Sequence, residues 1–80
     1  MIYIVVCRAV ASGSRSKAWV QQVTKTLEAR RAVAVDYIFH RTLLALLELG
    51  LRDGNLSDDT VGQLKSILIT RFPVLGCESL

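Results

Sequence analysis

Residues 43–54 read LLALLELGLRDG, and five leucines and an alanine take six of the seven positions 43–49. A helix this rich in leucine must bury a wide arc, yet the whole chain has 80 residues. A domain that short hides only about 60% of the surface of its unfolded chain. With 51% apolar residues and a mean hydropathy of +0.38, the chain carries more apolar surface than it can easily cover alone. Self-association is a common remedy in small domains.

Periodicity divides the chain into one short extended segment and three helices. MIYIVVCRAV is β-branched and aromatic, which favours a strand over about 2–8. Both faces of that strand are apolar, so it needs cover on both sides and a ladder partner, supplied by a second copy if not by this chain. ASGSRS is a polar connection in which Ser14 or Ser16 can cap a helix. A first helix is expected over about 15–31, with Trp19, Val20, Val23 and Leu27 on the inner face and Lys17, Gln21, Thr24, Lys25 and Glu28 outside.

The second helix is expected over about 33–49, with Val35, Ile38, Phe39, Leu43, Leu46 and Leu49 on its main face. Gly50 would then follow the last turn, and Leu51 would make the hydrophobic contact of a Schellman cap. Leu44 and Leu47 fall outside that face, beside Tyr37, His40 and Arg41, and form a second apolar stripe that calls for another surface. Ser57, Asp58 and Asp59 suit the start of a third helix over about 58–72, buried through Val61, Leu64, Leu68 and Phe72. Pro73 would end it. The expected architecture is a single mainly α domain over 1–80, with three helices and a short N-terminal β-strand paired across a dimer. If 32–39 is instead a strand, the order becomes β-α-β-α-α, a small α/β fold with a right-handed crossover.

Chemistry-bearing motifs are sparse. Cys7, His40 and Cys77 lie far apart and lack the close pairs of a structural zinc site. Asp53, Asn55 and Ser57 match the start of a calcium loop, but Asp58 and Leu64 stand where that loop needs glycine and glutamate. No Walker or dinucleotide-binding glycine pattern occurs. No metal or cofactor is expected. Cys7 would be a buried, unreactive thiol in an apolar strand, with no histidine near it in sequence. The two cysteines are expected as free thiols in a cytoplasmic setting. No apolar run reaches the roughly 18–20 residues of a bilayer span, and no basic stretch precedes MIYIVV as a secretory leader would require.

Charge is uneven. Residues 1–41 hold seven Lys or Arg and two Asp or Glu, a net of +5; residues 42–80 hold three and five, a net of −2. Arg8, Arg15, Lys17, Lys25, Arg30 and Arg31 are therefore candidate contacts to an anion or to nucleic-acid phosphates. A short strand at 2–8 followed by two helices to residue 50 resembles the ribbon-helix-helix regulators, which implies a dimer that sets paired strands into the DNA major groove. The residues of this strand depart from that use: Ile2, Ile4, Val5 and Val6 cannot hydrogen-bond base edges, and only Arg8 fits. The primary expectation is a non-enzymatic interaction or regulatory module. It would self-associate or dock on a larger protein through Tyr37, His40, Arg41, Leu44, Leu47 and Glu48. A dimeric nucleic-acid-binding regulator is the alternative.

Overall fold

A computed structural model describes residues 2–13 and 15–71. Its elements are α1 (Ile2–Ala11), α2 (Lys17–Ala29), a 3-10 turn (Arg31–Val33), α3 (Tyr37–Asp53) and α4 (Asp58–Arg71). Among the described residues the fold is all-α, with four helices and no strand. This corrects both the three-helix domain with an N-terminal strand and the β-α-β-α-α alternative.

The N-terminal segment is helical because its apolar residues suit a helix as well as a strand. Val6, Cys7 and Val10 are buried, and Tyr3 packs against the same cluster. Positions 3, 6, 7 and 10 make one helical stripe. The intrinsic penalty for β-branched residues in a helix is only about 0.5 kcal/mol each, and a helix satisfies its own backbone, whereas a lone strand leaves its edges open. Tertiary burial of the stripe decides the outcome.

Each later helix begins at a side-chain cap. Ser16 Oγ accepts from the Trp19 amide at 3.2 Å, so α2 starts at Lys17. Asp36 Oδ1 accepts from the Phe39 amide at 2.9 Å, and α3 starts at Tyr37 rather than near residue 33. Ser57 Oγ accepts from the Thr60 amide at 3.2 Å, and Asp58 and Asp59 occupy the first turn of α4. Phe72 and Pro73, expected at the far end of α4, lie outside the described residues.

α3 runs one turn past Gly50 and ends at Gly54, whose φ of 90° is the left-handed conformation open to glycine. Gly50 is thus inside the helix, not after it. Its missing side chain serves packing: a Cβ there would collide with Leu56 Cδ2 and reach 3.7 Å from Val20 Cγ1.

α2 and α3 form an antiparallel pair, the largest contact in the molecule. Its two ends are marked by Val20 beside Gly50 and by Leu27 bonded to His40. α1 and α4 form a second antiparallel pair. Tyr3 and Arg71 both reach Phe39, while Arg15, just beyond α1, pairs with Asp58 at the start of α4. The core between the pairs holds Val6 and Val10, Val20 and Leu27, Leu43, Leu44 and Leu47, Leu56, Leu64 and Leu68.

Candidate interaction surface

The residues expected to dock a partner separate into two groups. His40, Leu44 and Leu47 are 1%, 2% and 0% exposed. Tyr37 is 53% exposed, and Arg41 and Glu48 face solvent. His40, Leu44 and Leu47 therefore cannot form a contact surface on the folded chain, and that part of the expectation is corrected. The supposed second stripe belongs to the buried arc of α3, which comprises Phe39, His40, Leu43, Leu44, Leu46, Leu47 and Gly50. The true inner face is rotated by roughly a quarter turn from the expected one. Two features produce the rotation. Asp36 sets the start of the helix, and α2 and α4 pack along the face that results, with Tyr3 of α1 reaching Phe39 and His40.

His40 shows how closed that face is. Its Nε2 lies 2.6 Å from the Leu27 carbonyl, which can only accept, so Nε2 carries the proton. Nδ1 then accepts from the Tyr3 hydroxyl at 2.7 Å. The imidazole thus joins α1, α2 and α3. Around it, Tyr3 meets Phe39 edge-on with ring centroids 5.1 Å apart, Arg71 lies over the Phe39 ring, and Arg71 pairs with Asp36. Burial, and then the Asp36 carboxylate, push the Tyr3 hydroxyl above its ordinary pKa, with Arg71 opposing them. Tyr3 is accordingly a neutral donor. The cluster is a buried polar tie between helices.

The rotation moves other apolar residues outward. Val33 and Ile38 are 73% and 77% exposed, and Val35 is fully exposed. Val35, Ile38 and Leu49 were expected inside; they lie outside, with Ala45 and Tyr37. Two shallow hollows flank the Tyr37–Arg41–Ala45 ridge. One, of about 370 Å³, adds Arg31, Leu44 and Glu48; the other, of about 360 Å³, adds Ile38, Thr42 and Leu46. A third hollow of about 380 Å³ lies between α1 and α2, lined by Val5, Trp19, Gln22, Val23 and Thr26.

The basic residues also divide. Arg15 is committed to Asp58. Arg8, Lys17, Lys25, Arg30 and Arg31 are exposed, and among the described residues none of them makes an ion pair. The strand that would enter a DNA groove is the helix α1, so the likeness to ribbon-helix-helix regulators does not extend to the fold. Cys7 is buried and disulfide-bonded, which corrects the expectation of a free thiol; the other cysteine, Cys77, lies outside the described residues. Among the described residues no cluster of three metal-ligating side chains occurs, and no helix is long and apolar enough to cross a membrane.

The exposed patch on α3 was missed because Val35, Ile38 and Leu49 fit a helical stripe as well as the true core does. The signal that could have separated them is Asp36, a capping residue that starts the helix after Val35 and excludes Val33 and Val35 from it. No protein-family model, no curated protein and no solved structure matches this chain.

Proposed function

We propose that this chain is a small protein-interaction module that docks through the outer face of α3 and the segment just before it. The observation that carries this reading is the joint exposure of Val33, Val35, Tyr37 and Ile38 on a fold that buries Leu44 and Leu47 completely or nearly so. Contiguous exposed apolar side chains on a small domain commonly mark an interface. Aromatic and aliphatic anchors supply most of the affinity in such contacts, and the charged residues at the edge, here Arg31, Arg41 and Glu48, steer the partner.

Site-specific photocrosslinking tests the reading. A photoreactive phenylalanine analogue at position 38 should give a discrete protein adduct in the native setting. The same analogue at Gln63, an exposed position on α4, should not. Equal labelling at both positions, or none at position 38, would remove the proposal.

Nucleic-acid binding is the second reading, supported by the exposed Arg8, Lys17, Lys25, Arg30 and Arg31. It would rest on phosphate contacts alone, so binding to random duplex must weaken steeply with salt. No binding at low salt ends it.

A further inference from the structure

The outer face of α3 reads almost the same in both directions. From its N-terminal end it presents Ile38, Arg41, Thr42, Ala45, Glu48 and Leu49, none of them buried. Reversed, the order is apolar, charged, small, small, charged, apolar again, with the sign of each charge exchanged. An antiparallel contact between two copies of one helix about a two-fold axis requires this kind of pattern. Ile38, Thr42, Ala45 and Leu49 are also spaced four, three and four residues apart, the interval of a coiled-coil seam. These residues are not spent on the chain's own core.

We infer that the partner of this face is a second copy of the same chain, paired antiparallel along α3. The inference rests on the docking surface proposed above and names its occupant. With the two-fold axis level with residues 43–44, Ile38 lies opposite Leu49 of the second copy, and Thr42 lies opposite its Ala45. Arg41 and Glu48, one heptad apart on the same edge, are offset from each other by two residues in this register, about 3 Å along the axis, which their long side chains can span, so each can meet its opposite across the axis. Neither has an ion-pair partner among the described residues of its own chain; Arg41 only approaches the Tyr37 hydroxyl, at 3.5 Å. The contact thus supplies the charge complementarity that the single chain lacks.

The local chemistry suits close approach. Ala45 removes the side chain that would hold two helices apart, and the hollow of about 360 Å³ beside it, between Ile38 and Leu46, can take a side chain from the facing helix. The Thr42 hydroxyl donates to the Ile38 carbonyl at 2.8 Å, so it can leave water without losing its hydrogen bond. The seam is short and its centre small, so the dimer is weak, with a Kd of about 10–500 µM.

Sedimentation equilibrium of the full chain, from about 5 µM to about 1 mM, tests this. The wild-type chain should pass from monomer to dimer. Arg41→Glu and Glu48→Arg should each raise the Kd about tenfold. The double variant carrying both should return to within about threefold of wild type, because the exchanged pair is again complementary. Circular dichroism should show the same helicity throughout, since both positions are exposed. Rescue by the double variant excludes a simple loss of folding. A wild-type chain that stays monomeric to about 1 mM overturns the self-pairing and leaves the face to a different protein. A dimer unaffected by these changes and by Ile38→Asp overturns the self-pairing and the α3 surface together.

Discussion

The two sides of α3 carry similar residues and meet opposite fates. Leu44 and Leu47 on one side are sealed, while Ile38 and Leu49 on the other touch water. Composition does not distinguish them, because each pair is aliphatic and sits at helical spacing. The difference comes from the neighbours. α2 packs along α3, α4 covers a further part of the buried arc, and Tyr3 of α1 reaches its N-terminal end. A leucine on a helix is therefore inside or outside according to what the rest of the chain can bring over it.

The sharpest way to break the comparison is to place a charge on the sealed side. Leu47→Asp should abolish the cooperative unfolding transition, since an unpaired carboxylate would be buried where no partner can reach it. The milder Leu47→Ala should lose about 2–5 kcal/mol in chemical denaturation. Next comes the polar tie. His40→Ala leaves the Leu27 carbonyl and the Tyr3 hydroxyl without their imidazole partner and opens a cavity. A loss of about 2–4 kcal/mol is expected. A loss below about 1 kcal/mol would mean that His40 is not enclosed as described.

Smaller effects sharpen the same picture. Thr24 is buried, although it was expected on the outer face of its helix, and its Oγ1 has no hydrogen-bond partner. Thr24→Val keeps the shape and removes the orphaned hydroxyl, so the chain should gain about 1 kcal/mol. Tyr3→Phe tests the tie through pH. The folded-state pKa of Tyr3 is raised above its ordinary value of 10.0. Its contribution is fully present below about pH 10 and is lost as pH rises through the folded pKa. Stability of the wild type should therefore fall with alkali in part through Tyr3, and Tyr3→Phe should remove that part of the slope. An identical alkaline slope in both proteins would contradict the assignment.

Much of the helical layout was legible in the chain. Val20, Val23 and Leu27 mark the inner face of α2, Ser16 and Ser57 cap as their chemistry allows, and Val61, Leu64 and Leu68 line α4. The failures have definite causes. MIYIVV has strand propensity, but propensity is a weak preference that a well-packed helical stripe overrides. Gly50 looked like a terminator because glycine commonly ends helices, whereas here it makes room for Leu56. His40 is a core group whose two ring nitrogens are satisfied by residues 37 and 13 positions away, and no local pattern announces such contacts. Of the candidate surface, Tyr37, Arg41 and Glu48 are exposed, and the leucines between them are buried.

The central claim is the orientation of α3, and a pair of alanine substitutions tests it most directly. Urea unfolding of Leu44→Ala should show a loss of about 2–4 kcal/mol, and of Ile38→Ala at concentrations where the chain is monomeric no more than about 0.5 kcal/mol. Equal losses at the two positions, or a larger loss at Ile38, would show that the helix faces the other way.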